Sequence, residues 1–171
     1  MINKIKNFVF GFDARHRPNA TKYIFGATSS IITSLALIIG FNTSVNAKVS
    51  IIGSLLVIAL ADNISDMLGI HIYQETEGIK THDVWISSST NFLTRFFVSF
   101  VFIILVIFLP MRTAAIVSVA YGLFALAIFS YIIADIKKLN PVHAIAEHLF
   151  IAVVIILISQ FLGGWIIHHY S

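Results

Sequence analysis

Long apolar runs, broken by short polar intervals, dominate this chain, and five of them approach the ~20 residues that a helix needs to cross ~30 Å of hydrocarbon. The first extends from about Tyr23 to Phe41 (YIFGATSSIITSLALIIGF) and the second from about Val49 to Tyr73. The third covers about Phe92 to Leu109 and ends at Pro110, which cannot continue a helix interior. The fourth runs from about Ala114 to Ala134. The fifth starts after Pro141, a favoured first-turn residue, and continues to about Ile167. Short breaks between them imply antiparallel neighbours. With no linker, low-complexity tract or internal repeat in view, the pattern predicts an all-α polytopic membrane protein. A basic tail at residues 1–22 precedes one five-helix membrane domain at residues 23–171.

Composition turns that pattern into an exclusion. Of 171 residues, 58% are hydrophobic and 11% charged, whereas soluble domains average about 45–50% and about 25%. A soluble core has no place for so many apolar side chains, and disorder is excluded by the same figures. Eleven Lys and Arg against eight Asp and Glu leave a net charge of +3, too sparse a set for tracking nucleic-acid phosphates. The absence of Cys removes disulfides, thiolate chemistry and Cys-ligated metal.

The distribution of bases sets an orientation, because Lys and Arg near span ends favour the cytoplasm. Lys4, Lys6, Arg15, Arg17 and Lys22 lie in the tail, Lys80 and Arg95 between or beside spans two and three, and Lys137 and Lys138 between spans four and five. Lys48 and Arg112 alone fall on the other side. The N-terminus is therefore expected in the cytoplasm and the C-terminus, with His168 and His169, on the far side. The expected location is a bacterial inner membrane or a eukaryotic organelle membrane. In the tail, Ile2, Ile5, Phe8, Val9 and Phe10 interleave with bases, as in a short amphipathic helix lying on the inner leaflet and broken near Gly11 and Pro18. Its apolar run is too short for a signal peptide and lacks a small-residue cleavage site.

Candidate chemistry concentrates in span two, where Asp62 and Asp66 interrupt an otherwise apolar helix. A carboxylate at membrane depth costs at least a few kcal/mol and rarely faces lipid. Helical spacing puts Asp62, Asp66, Tyr73 and Glu77 in one sector, flanked by Asn63, Met67 and Gln74, with Ile64, Leu68 and Ile72 opposite. Oxygen ligands beside one thioether suit a divalent first-row cation, so Asp62, Asp66, Asn63 and Met67 are the candidate metal ligands. His71, Glu75 and Glu77 are the candidate cytoplasmic entrance. A carboxylate removed from water holds its proton more readily, which offers a route to proton coupling. The alternative is structural: both acids fix helix packing through hydrogen bonds.

Gly26, Ser29, Ser30 and Thr33 give span one a small, hydroxyl-bearing face suited to close helix approach. With Gly69 of span two they are the candidate packing or pathway positions. His143 and Glu147, at i, i+4 with His148 adjacent, form a secondary candidate for metal or proton handling. Arg95 is expected to reach the inner surface by snorkelling. No zinc-hydrolase motif, nucleophile–base arrangement or Gly-rich phosphate loop is present, so enzymatic activity is not expected.

Span one, FGATSSIITSLALIIGF, resembles the F-G-A-N-D-G-L-V-T-T-L-G-L-V-x-G of the vacuolar iron transporter family, and ALADNISDMLGIHIYQETE resembles that family's G-A-L-S-M-A-L-G-E-Y-x-S-x-x-S-x. The likeness spans about residues 23–168, with recognisable motifs in the first two spans. Gly26, Ala27, Ser65, Leu68 and Gly69 stand unchanged, while the family's span-one Asp falls on Ser29, its Met on Asp66 and its Glu on Ile70. The cytoplasmic metal-binding domain of many members is missing, as it is from the nodulin-like ones. The resemblance implies a homodimer whose metal path, lined by spans one and two, carries Fe²⁺ or Mn²⁺ out of the cytosol against protons, with no permanently bound cofactor. A scaffold or regulatory protein of the same fold is the alternative.

Overall fold

A computed structural model of the chain describes residues 17–170, with side chains from Tyr23 onward; the expected amphipathic helix of the tail lies outside the described residues apart from 17–22. Five helices are long and apolar enough to cross a membrane: α1 (Arg17–Phe41), α2 (Ala47–Thr76), α3 (Thr81–Phe108), α4 (Met111–Lys137) and α5 (Pro141–Tyr170). There are no strands among the described residues. The protein is thus an all-α polytopic membrane protein, as its sequence pattern implies.

Helix α1 is central. Half of its span is buried, against 22% of α2 and 11% of α5, and it packs against all four other helices. Ile31, Leu35 and Ile38 of α1 join Ile51 and Leu55 of α2, Phe102, Ile103 and Val106 of α3, and Ala114 and Ala115 of α4 in one core. Lipid tails solvate such side chains as well as the core does, so close packing, rather than escape from water, holds these helices together. Glycine permits the closest approach: a Cβ on Gly163 of α5 would fall on the Gly40 carbonyl of α1.

Three local features set the helix boundaries and registers. In α2, Ile51, Leu55, Ala59 and Asn63 are all buried, a spacing of four that exceeds the ~3.6 residues of an α-helical turn. One wider π-helical turn at Ile58–Asp62 takes up the excess and keeps this stripe facing inward. The Asn63 side chain donates to the Ala59 carbonyl at 3.0 Å within that turn. Helix α3 begins eleven residues before the expected Phe92, because the polar run Ser87–Asn91 belongs to the helix instead of a loop. Ser87, Ser88 and Asn91 face inward, and Ser88 donates to its own Val84 carbonyl at 2.8 Å, which a helix tolerates. The α2–α3 connection therefore shrinks to residues 77–80, turned by Gly78 at φ 71°. Helix α4 ends with Lys138 in the left-handed region at φ 55°, where the Leu139 amide reaches back to the Ala134 carbonyl at 2.9 Å.

At the opposite end of the bundle, Lys48 donates to the Ile107 carbonyl at 2.7 Å and the Leu109 carbonyl at 3.4 Å. A cation there suits the exposed carbonyls at the C-terminus of α3.

Candidate functional site

Arg95 organises the site. Expected to snorkel to the inner surface, it is instead buried, 3% exposed, near the middle of the 28-residue helix α3. Either end of α3 lies roughly 20 Å away at ~1.5 Å per residue, and two carboxylates of α2 come to meet it where it stands. Its Nε donates to Asn63 Oδ1 at 2.6 Å, and one terminal nitrogen donates to Asp62 at 2.8 Å. The other terminal nitrogen donates to Asp66 and to Ser29 of α1, the latter at 3.0 Å. One guanidinium thereby ties α1, α2 and α3 together inside the bundle, using the planar fork that distinguishes Arg from Lys.

The seat of Arg95 is built from small and hydroxyl-bearing residues. Ser30 donates to the Arg95 carbonyl at 3.1 Å and lies 2.8 Å from the Ser99 hydroxyl. Gly26 faces Asn91 and the Arg95 stem, and a Cβ there would meet Asn91 Oδ1 at 2.7 Å and Arg95 Cγ at 3.3 Å. The small face of α1 thus packs against the arginine helix. Thr33 turns back to its own Ser29 carbonyl at 3.0 Å, outside the charge cluster. Gly69 also stands apart, with nothing within 4 Å of where its Cβ would be.

The two carboxylates differ from the arginine in one decisive respect. Their side chains are 48% and 42% exposed for Asp62 and Asp66, against 3% for Arg95. The guanidinium is sealed inside the bundle while both acids open onto the outer face of α2. With one base and two ionised acids, the cluster carries a formal charge of −1. Met67, half-buried, follows Asp66. Among the described residues, no group of three or more His, Asp or Glu is arranged to hold a metal ion, so Asp62, Asp66 and Asn63 are occupied by Arg95 and do not form a ready ligand cage.

The entrance residues separate. His71 lies 3.4 Å from Glu75 and meets the Trp85 ring edge-on at 4.4 Å between centroids. Gln74 donates to Ser87 at 2.8 Å. Glu77 is exposed at the α2 C-cap, where the chain turns. On α5, His143 and Glu147 are both exposed, and the inward residue is His148, with Nδ1 2.8 Å from Ser130 Oγ of α4.

Sequence reasoning found the two acids but missed Arg95 as their partner and Asn91 beside it. The signal was available as periodicity: Ser88, Asn91, Arg95 and Ser99 recur at three and four residues, and all are buried. Asn91 is the odd member, since neither of its side-chain polar atoms finds a partner. No family model, curated protein or solved structure matches this chain.

Proposed function

We propose that the chain is a membrane transporter of a divalent transition cation, exchanged against protons, with the Asp62–Asp66–Arg95 cluster as its mid-membrane gate. The observation that carries this reading is the asymmetry of the cluster. A buried guanidinium balances only one of two acids, and both acids are half-exposed at membrane depth. An unbalanced negative charge there is costly and attracts a cation. An entering cation draws the carboxylates from the guanidinium, which Asn63 and Ser29 continue to hold. Fe²⁺ or Mn²⁺ as substrate follows from oxygen ligands beside Met67 and from the likeness of spans one and two to vacuolar iron transporters. Ser29, at that family's Asp position, touches Arg95.

The reading includes a homodimer. Ala61, Ser65 and Gly69 are exposed at four-residue intervals beside Asp62, a spacing that lets two helices approach closely in a membrane. A helical glycine costs about 1 kcal/mol relative to alanine, and nothing within the chain requires one at position 69. A second copy packed on this face covers the open carboxylates and turns them into a shared path.

The test is flux into liposomes holding the purified chain and a lumenal dye sensitive to Fe²⁺ or Mn²⁺. Wild-type vesicles should accumulate metal and release protons, and Asp62→Asn or Asp66→Asn should each reduce uptake to the level of empty vesicles. Folded wild-type protein that never exceeds empty vesicles sinks the reading. One observation then favours a scaffold: Arg95 spends both terminal nitrogens and Nε on two neighbouring helices, α1 and α2, as a purely structural clamp would.

A further inference from the structure

A second site lies away from the charge cluster, where α1, α4 and α5 enclose a cavity of about 310 Å³. This falls at the small end of the ~300–1,000 Å³ typical of ligand pockets. Each helix gives one face to it: Phe25, Thr28 and Ile32 from α1, Leu126, Ile133 and Lys137 from α4, and His148 and Ile151 from α5. The faces follow helical spacings, so the walls run lengthwise along the bundle. Lys137 marks one end and Leu126 the other, roughly 16 Å deeper at ~1.5 Å per residue. Phe25, 57% exposed, and Ile151, 43% exposed, leave the side open along a membrane-spanning surface. Lipid is the medium that meets that opening.

The polar end has a defined chemistry. Ser130 has one hydroxyl proton, which it donates to the Leu126 carbonyl at 2.7 Å. It must then accept from His148, at 2.8 Å, so Nδ1 carries the hydrogen. That fixes the ring and leaves Nε2 for a partner. Lys137 stands in the last turn of α4, at the end of the bundle that the charge bias assigns to the cytoplasm. Lys137 and His148 are the two ionisable side chains of the lining, and the lining includes no acid among the described residues.

We propose that this cavity binds an acidic phospholipid of the inner leaflet. Lys137 and His148 hold its phosphodiester, and one acyl chain lies along Ile32, Leu126, Ile133 and Ile151. A basic pocket between membrane helices on the cytoplasmic side is the arrangement that recognises anionic headgroups. The apolar length below Lys137 rules for an amphiphile over a free phosphate. The site stands independently of transport: it shares no residue with the Arg95 cluster.

The test uses the full-length chain in mixed micelles, with Phe25→Trp placing an indole at the mouth. Quenching beyond that of the Trp85 and Trp165 background is read with brominated-tail phosphatidylglycerol and brominated-tail phosphatidylcholine. Phosphatidylglycerol should quench the introduced indole at about fivefold lower lipid fraction, as one basic contact confers. Lys137→Gln, on an exposed side chain whose loss leaves the fold intact, should erase that preference, and His148→Gln should reduce it. Equal quenching by the two lipids, or a preference that survives Lys137→Gln, overturns the proposal.

Discussion

At the scale of residues, charge balance decides more than the identity of any one side chain. The cluster of Arg95, Asp62 and Asp66 carries −1 when all three are ionised, so removing one acid brings it to zero, while removing the base brings it to −2. Asp62→Asn and Asp66→Asn should therefore cost less than 1 kcal/mol each in detergent thermal unfolding, since Asn still accepts from the guanidinium. Arg95→Gln should cost about 3 kcal/mol or more, because it strands two carboxylates at membrane depth. Combining Arg95→Gln with both Asp→Asn changes should recover part of that loss, and a triple variant as unstable as Arg95→Gln alone would show that charge is not what matters. The acids were legible in the sequence because carboxylates stand out in an apolar run. Their partner was not, because a lone Arg three residues into an expected span looks like a boundary residue. Only the true start of α3 at Thr81 moves Arg95 from the edge of its helix to the middle.

At the scale of elements, hydropathy located all five helices and misplaced the start of α3 by eleven residues. The stretch Ser87–Asn91 lowers local hydropathy, yet Ser87, Ser88 and Asn91 are buried, and Ser87 and Ser88 bond to a neighbour or to their own backbone, so polarity here marks an inward face rather than a loop. The π-helical turn at Ile58–Asp62 leaves no trace in composition; a buried stripe spaced by four is its only sign. Two helix-level predictions follow from backbone geometry. Lys138 holds φ at 55°, a conformation that glycine adopts freely. Lys138→Gly should raise stability by about 0.5–1 kcal/mol, seen as a higher unfolding temperature, because the relieved strain outweighs the added freedom of the unfolded chain. Gly163→Ala should do the reverse and by more. Its methyl would land on the Gly40 carbonyl, which is backbone and has no rotamer to yield, so α5 must move off α1. A loss of about 1–3 kcal/mol is expected for overpacking of this kind, and an unchanged unfolding temperature would show that α5 is loosely seated.

At the scale of the whole molecule, the bundle is complete around α1 and incomplete around α2. Most of α2 is uncovered, and the uncovered arc is not uniformly apolar. Ile64, Leu68 and Ile72, each more than half exposed, suit lipid without further explanation. Ala61, Ser65 and Gly69 lie on the adjoining part of the arc beside Asp62, where small side chains gain nothing from lipid and a half-exposed carboxylate loses by it. The proposed second copy, related by a two-fold axis, would resolve both conflicts, since the same face on each partner would close over the acids. The chain contains no cysteine, so single-cysteine variants report on this arrangement without background. Ser65→Cys should give a covalent dimer on mild oxidation in membranes, because equivalent residues near a two-fold axis approach each other directly. Leu157→Cys, 63% exposed on the far helix α5, should stay monomeric under the same treatment. Gly69→Leu, which meets open space within its own chain, should leave the monomer's helicity unchanged while abolishing the Ser65→Cys product. Cross-linking that is equal at both positions, or absent at Ser65, would leave the open carboxylates without a partner subunit and return them to a water-filled cavity of the single chain.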